Sequence, residues 1–90
     1  MRLAFADRAR EDLARIRDFN LQRSERWAEK VHRRLVERAM GLLAAPNSGR
    51  AITVAGVRRV SVPDIQYVID YRHDSDVVEV IRVQSTREVV

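Results

Sequence analysis

The 90-residue chain contains no cysteine, only two prolines, three glycines and two histidines, and a single lysine, Lys30. Without cysteine it can form no disulfide, no thiolate nucleophile and no cysteine-based zinc site. Two histidines, His32 and His73, are too few to indicate a metal cluster. We therefore expect no metal and no other cofactor, and we do not expect redox chemistry.

Long apolar runs are also missing, since none approaches the roughly 20 residues that a membrane-spanning helix needs. The first residues, 1–7, lack the apolar segment of a secretory signal peptide, which leads us to expect a cytoplasmic protein with no membrane contact. Apolar residues make up 46% of the chain and charged residues 33%, as in globular proteins. At this length the chain should form a single domain over residues 1–90 with a modest core.

Positive charge is unevenly distributed along the chain. Residues 1–50 carry twelve basic and seven acidic side chains, whereas residues 51–90 carry five basic and six acidic ones. Every basic residue except Lys30 is an arginine, whose planar guanidinium binds carboxylates and phosphates in a bidentate manner. This composition suits an acidic protein partner or a nucleic acid, although a genome rich in G and C would also favour arginine codons.

The first half of the chain has the periodicity of two helices. Residues 3–5 form a short apolar segment that is predicted as a first strand. Apolar residues then recur at helical spacing over residues 7–20, with Asp7 as the expected N-cap. Ser24 is a second expected N-cap. The helix that it begins, predicted over residues 24–44, has a broad apolar stripe that indicates burial against more than one neighbour.

The second half has the period of β-strands. Residues 46–49, Pro-Asn-Ser-Gly, end the helical part. Antiparallel strands are predicted over residues 52–62, 65–72 and 77–84, the first of them weak at its start and broken at Gly56. The order of elements predicts an α+β domain in which a two-helix hairpin packs on one face of a small antiparallel β-sheet. The other face of the sheet would then be open for function.

Arginines are the candidate functional residues of the strands and of the tail. Arg82 lies in an apolar strand, so its side chain should either reach solvent at the open face or pair with a carboxylate such as Asp70. Arg58 and Arg59 point to opposite faces, so at most one lines the open face, and the other is expected at a solvated strand edge. Arg87 lies either in a frayed terminus or in contact with a partner or a phosphate.

Aromatic residues and histidines are weaker candidates. Tyr67 and Tyr71 share the parity of core residues in their strand and are expected to face the core with the hydroxyl at the rim. Trp27 is expected to pack at the helix hairpin, or to mark an interface if it is exposed. His32 on the second helix and His73 in a turn have no sequence feature that indicates a general acid or base.

An ordered set of these features is similar to one known family. The features are residues 9–16 followed by Asp18 and Phe19, the loop 46–50, the strand 57–60, the segment 67–72, and residues 81–83 with Arg87. Over nearly the whole chain, this set resembles the RelE/ParE toxin superfamily. The resemblance implies the toxin of a type II toxin–antitoxin pair, held inactive by an antitoxin whose C-terminal segment wraps around it.

This superfamily includes two mechanisms. RelE-like members are ribosome-dependent messenger RNA endonucleases with phosphate-binding basic residues, which on this chain would be Arg82, Arg87 and one of Arg58 or Arg59, with Arg58 as the first choice. Cleavage also needs proton transfer, but residues 82–88 contain two arginines and no Tyr, His or Lys. ParE-like members lack the catalytic set, have a long helical hairpin and poison DNA gyrase by binding. The resemblance therefore favours a ParE-like gyrase inhibitor that is not an enzyme, with a RelE-like ribonuclease as the alternative.

The ParE-like interpretation implies a hetero-oligomer with a cognate antitoxin, which should bring acidic residues and apolar anchors to the arginine-rich surface. Direct nucleic-acid binding is not expected, because aromatic and basic residues are not interleaved as in a stacking platform. The chain departs from the resembled pattern after the last strand, where many ParE-like chains have a histidine and this one has Gln84 or Ser85. The candidate residues for contact with the antitoxin or the target are Trp27, Val31, Arg58, Arg59, Arg82 and Arg87.

Overall fold

In a computed structural model, which describes residues 1–89, two helices pack against a five-stranded sheet. The elements are β1 (Arg2–Phe5), α1 (Asp7–Leu21), α2 (Glu25–Gly41), β2 (Arg50–Ala51), β3 (Arg58–Val62), β4 (Tyr67–His73) and β5 (Val77–Ser85). The predicted α+β fold with a helical hairpin is confirmed. Neither described helix is long and apolar enough to cross a membrane.

The sheet has the strand order β1-β5-β4-β3-β2. β3 to β5 are paired antiparallel as predicted. β2, which lies outside the predicted strands, also pairs antiparallel with β3, but β1 lies parallel to β5. The sheet is therefore mixed, and the expectation of a purely antiparallel sheet is corrected. The successive antiparallel hairpins fix the direction of β5. β1, which comes from the other end of the chain, pairs with the edge of β5 that β4 leaves free, and it runs parallel to β5.

The helix α1 begins differently from the prediction. Its N-cap is Ala6, which is extended and supplies no side-chain hydrogen bond, and Asp7 lies in the first turn. Asp7 therefore does not cap the helix, although its carboxylate is favourably placed near the positive end of the helix dipole. The helix ends at Leu21, one residue beyond the predicted range.

The helix α2 confirms the predicted cap at Ser24, whose side-chain oxygen accepts a hydrogen bond from the Trp27 amide at 3.0 Å. The helix ends at Gly41, earlier than predicted. The Leu42 amide donates to the Ala39 carbonyl, three residues back. Such short-range bonds tighten a helix terminus and stop its propagation. The residues that α2 buries follow the predicted stripe: Ala28, Val31, Leu35 and Ala39.

Two of the predicted strands start too early. Only Arg50 and Ala51 form β2, and residues 52–57 fold into a turn in which Gly56 has a φ of 77° and the Ile52 amide donates to the Val57 carbonyl. Residues 63–66 form a second turn, and β4 begins at Tyr67 rather than at residue 65. Pro63 opens this turn, in which the Ile65 amide donates to the Val62 carbonyl.

The core lies between the helices and one face of the sheet, as predicted, and Tyr71 is fully buried in it. Its hydroxyl is not at the rim: it donates to the Pro46 carbonyl at 2.7 Å and accepts from the Gly49 amide at 3.0 Å. Val68 and Asp70, whose positions alternate with those of the core-facing residues, point to the opposite face of the sheet and are buried as well. β4 is thus covered on both faces along most of its length and is not the half-buried strand that its alternation indicates.

β5 contains an irregularity that shapes the site. Arg82 pairs with Asp70, but Val80 pairs with Tyr71, so Ile81 is an extra residue in β5. Such a bulge bends a strand and redirects its side chains. The pairing of β1 with β5 ends at Val80, so the outer edge of β5 beyond that residue has no strand partner within residues 1–89.

Candidate interaction site

Arg82, the arginine inside an apolar strand, is bound to the helix α1. Its Nε donates to Asp12 Oδ2 at 2.8 Å, and Oδ2 also accepts from the Val83 amide at 2.9 Å. The carboxylate partner is therefore Asp12 rather than the expected Asp70. Asp70 lies directly opposite Arg82 in the β4–β5 pair, but both of its carboxylate oxygens are bound by Arg59.

Asp12 is only 2% exposed. Burial raises the pKa of its carboxyl, but the hydrogen bonds from Arg82 and from the Val83 amide lower it, and the net pKa lies below its usual value. In turn, the hydrogen bonds to Asp12 raise the pKa of Arg82. Both groups are therefore charged at neutral pH, and neither is poised to transfer a proton.

Arg59 also forms an internal ion pair. Its Nε and Nη2 donate to the two carboxylate oxygens of Asp70 at 2.6 and 2.9 Å, directly across the β3–β4 pair. These bonds raise the pKa of Arg59. The expectation of a solvated arginine at the strand edge is wrong for Arg59, and the Asp70 carboxylate that we considered for Arg82 is bound here.

Arg58 points to the other face of β3, as strand alternation predicts. Its Nη1 donates to the Gly49 carbonyl at 2.7 Å. The Gly49 amide contacts the Tyr71 hydroxyl, so Arg58 and Tyr71 hold the same loop from two sides. Arg58 therefore fixes the connection between α2 and the sheet.

The structure does not bring together the three arginines that the ribonuclease alternative requires. Arg58 is on β3 and Arg82 is on β5, with β4 between them, which separates their backbones by roughly 10 Å. Each is bound to a different internal acceptor, Gly49 and Asp12 respectively. Arg87 lies in the segment after β5 and lines a groove.

This groove has a volume of about 650 Å³. It lies where α1 ends and α2 begins, and the turn of residues 63–66 and residues 85–87 complete its walls. We call it the hairpin groove. Its aromatic lining residues are Phe19, Trp27 and Tyr67, and its cationic ones are Arg23 and Arg87.

Asn20, a buried residue on the wall of the hairpin groove, connects the two helices to the sheet. Its Oδ1 accepts from Trp27 Nε1 at 2.8 Å, and its Nδ2 donates to the Tyr67 hydroxyl at 3.1 Å and to the Ile16 carbonyl. Asn20 is not among the residues predicted to form the site. The sequence feature that indicates its burial is its position four residues after Ile16, on the apolar face of α1.

The electrostatics of the hairpin groove are positive. The guanidinium of Arg23 stacks over the Trp27 ring at 4.4 Å, and Lys30 lies 5.4 Å from the same ring. The wall also contains Asp64, but Arg34 binds its two oxygens at 2.7 and 3.1 Å and lowers its pKa. Among residues 1–89, the groove therefore contains cationic groups and no carboxylate that lacks a cationic partner.

The remaining predicted residues have simpler environments. Val31 is 1% exposed and packs in the core, so its prediction as a contact residue is corrected. Trp27 is partly buried against that core and partly lines the hairpin groove. His32 is exposed, and His73 Nε2 lies 2.9 Å from Asn47 Oδ1. Residues 1–89 contain no cluster of His, Cys, Asp or Glu side chains that could hold a metal ion.

Comparison with solved structures shows that other proteins share this fold. The structure described as the chromosomal ParDE TA system from P. aeruginosa superposes with a TM-score of 0.83 at 24% identity, covering 94% of this chain and 95% of that chain. The isolated E. coli RelE toxin gives a TM-score of 0.68 at 17% identity, with 92% and 81% covered. The intact E. coli RelBE toxin-antitoxin complex gives 0.70 at 17%, with 92% and 93% covered.

The family is established by sequence. A family model described as the ParE toxin of the type II toxin-antitoxin system parDE matches residues 3–90, and the chain therefore belongs to the ParE toxin family. A search of curated proteins gave no significant match. The structural similarities, all below 25% identity, support the fold and not a particular target.

Proposed function

We propose that this protein is the toxin of a type II toxin–antitoxin pair and that it acts by binding. In the free state it inhibits DNA gyrase, and a cognate antitoxin neutralises it in the cytoplasm. The observation that carries this proposal is that Arg58, Arg59 and Arg82 are all bound to acceptors of the toxin itself. A phosphate would have to compete with these internal partners.

The energetics of Arg82 illustrate the difficulty. To bind a phosphate through its Nε and Nη2 donors, the guanidinium of Arg82 would have to leave Asp12, whose carboxylate is almost completely buried. Removing one partner from a buried ion pair costs about 3–5 kcal/mol. The partial exposure of Arg82 places the cost toward the lower end of that range. Arg82 therefore supports the fold of the toxin better than it supports phosphate chemistry.

Ribonuclease activity is the second candidate because Tyr67 and Arg87 line the same groove. A tyrosine hydroxyl beside an arginine could combine proton transfer with charge stabilisation. Against this function, the Tyr67 hydroxyl is held by Asn20 and the side chain is 7% exposed. The substitution Tyr67→Phe distinguishes the two functions in cells: a ribonuclease would lose its toxicity, whereas a gyrase inhibitor would keep it.

The direct test uses purified toxin with gyrase and relaxed plasmid. We expect loss of supercoiling together with accumulation of cleaved DNA, and recovery of supercoiling when the antitoxin encoded beside the toxin gene is added. Absence of any effect at a large molar excess of toxin would contradict the proposal. Primer extension on translated messages after induction gives the complementary result, since cuts positioned by codon would support the ribonuclease.

A further inference from the structure

We propose that Arg15 and Glu88 form a latch that holds the end of the chain closed against α1. The segment that the latch holds, residues 86–89, we call the strap. The strap contains Arg87, and its closed position keeps this arginine in the hairpin groove. Arg15 and Glu88 are positioning residues of the groove, although neither lines it. The latch is a property of the toxin itself and does not depend on the target proposed above.

The strap has few contacts with the sheet. Ser85 is the last residue of β5, and it pairs with Tyr67. Beyond Ser85, the Thr86 amide donates to the Gln66 carbonyl at 2.9 Å. The Glu88 amide donates to the Ser85 carbonyl at 3.0 Å, which forms a turn at the start of the strap. Segments with so few contacts open locally at a small cost in free energy, so a side-chain bond near the end of the strap has a large influence on its position.

The latch is an ion pair between α1 and the strap. Arg15 Nη1 donates to Glu88 Oε1 at 3.2 Å, and Nη2 of the same guanidinium donates to Asp12 Oδ1 at 3.3 Å. Because Asp12 is buried and is also bound by Arg82, it orients Arg15 whether or not the strap is closed. A guanidinium that is already oriented loses less side-chain entropy when it binds a second carboxylate.

Arg87 lies between the two anchored residues of the strap. Thr86 and Arg87 both line the hairpin groove, whereas the Glu88 side chain reaches Arg15 outside it. Opening of the strap therefore removes Arg87 and one wall of the groove. A ligand that contacts Arg87 in the groove binds only the closed form, so its apparent affinity falls in proportion to the closed fraction. The latch thus sets how much of the toxin has a complete groove.

The latch is exposed to solvent. The side chains of Arg15 and Glu88 are 50% and 40% exposed, and exposed ion pairs are weak and are screened by salt. Closure should therefore decrease as the salt concentration rises. Val89 is half-buried, so apolar packing of the strap is the alternative cause of closure. Because packing of an uncharged side chain is not screened by salt, salt dependence distinguishes the two causes.

The test follows hydrogen exchange of single backbone amides by NMR in the full-length toxin. Glu88→Gln and Arg15→Gln should each raise the exchange rate of the Thr86 amide about twofold to fivefold. The double variant should exchange no faster than the faster single variant, because both changes break the same bond. The reference is the Ala6 amide, which donates to the Val80 carbonyl at 2.9 Å and should exchange at the wild-type rate.

A matched control is Arg17→Gln, the same change at another exposed arginine of α1, which should leave the Thr86 rate unchanged. The heteronuclear NOE of the Arg87 amide measures the mobility of the strap and should decrease in Glu88→Gln. Raising sodium chloride from about 0.1 M to about 1 M shortens the Debye length from about 10 Å to about 3 Å. This change should speed Thr86 exchange in the wild type and not in Glu88→Gln.

The proposal is overturned if the Thr86 and Ala6 rates rise equally in the variants, since the ion pair then stabilises the whole fold and not the strap. It is also overturned if the effects of the two single variants multiply in the double variant, or if salt leaves the wild-type Thr86 rate unchanged. Far-ultraviolet circular dichroism checks that each variant is folded, and the salt dependence of the wild type tests the latch without any variant. Gyrase does not enter this experiment, so a toxin that fails to inhibit gyrase refutes the proposed target and not the latch.

Discussion

Asp12 and Arg82, seventy residues apart in the chain, are joined by a hydrogen bond of 2.8 Å between α1 and β5. The same carboxylate oxygen accepts from the Val83 amide at 2.9 Å. One side chain therefore neutralises an arginine and satisfies a backbone donor at the sheet edge where β1 has ended. At the other side of the sheet, Arg38 of α2 contacts the Ser61 carbonyl at 3.3 Å. Charged side chains from the helices thus cover backbone groups that could otherwise pair with a foreign strand.

Removal of the Asp12 carboxylate should destabilise the toxin. Asp12→Ala leaves Arg82 and the Val83 amide without their acceptor, which should reduce the free energy of unfolding by about 2–4 kcal/mol. Urea unfolding followed by circular dichroism measures this change. The control Asp18→Ala removes an exposed carboxylate of the same helix and should cost less than about 0.5 kcal/mol. Equal effects of the two variants would show that the ion pair contributes nothing.

Acid should weaken the toxin partly through Asp12. The pKa of its carboxyl in the folded state lies below the ordinary value of 3.8, so the unfolded chain binds this proton more readily. The stabilisation is present above pH 3.8 and is lost as the pH falls through the lower folded-state pKa. Unfolding curves measured at decreasing pH should therefore show a smaller loss of stability for Asp12→Asn than for the wild type below that pH, and parallel losses would contradict this prediction.

Glycine at position 49 should be indispensable for packing. A Cβ atom there would lie 2.7 Å from the Tyr71 hydroxyl and 3.0 Å from the Arg59 carbonyl. Gly49→Ala should therefore cost about 1–3 kcal/mol. The matched variant Gly41→Ala meets no atom within 4 Å at the end of α2 and should be neutral or stabilise the helix by up to about 1 kcal/mol. Thermal unfolding of both variants provides the comparison, and a neutral Gly49→Ala would refute the packing argument.

Asn20 should control the environment of Trp27, the single tryptophan. Asn20→Ala leaves the Trp27 Nε1 and the Tyr67 hydroxyl without their shared partner, which should cost about 1–3 kcal/mol. Because water can then reach the indole, its fluorescence emission should shift to longer wavelength. Asn47→Ala, which removes the contact with His73 at the surface, should change neither the emission nor the stability appreciably. An unshifted emission for Asn20→Ala would show that the amide does not shield the ring.

The helices could be predicted from local pattern. The apolar spacing that predicts α2 is the spacing of the residues that it buries, and Ser24 caps it as expected. Strand boundaries were less predictable, because residues 52–57 have the composition of a strand but fold into a turn. Their conformation depends on the positive φ of Gly56 and on the bond between Ile52 and Val57, which composition does not reveal.

Contacts between side chains that are distant in the chain could not be predicted from the local sequence pattern. An arginine in an apolar strand predicts a nearby carboxylate, but the chain has thirteen acidic residues, and only the packing of α1 beside β5 assigns Asp12 to Arg82. The same holds for the hairpin groove, in which α1, α2 and the segment after β5 place Phe19, Trp27 and Arg87 in one lining. Helix periodicity and caps depend on neighbouring residues and can therefore be predicted from the sequence. Ion pairs, bulges and grooves depend on how the helices and strands pack against one another, which only the tertiary structure decides.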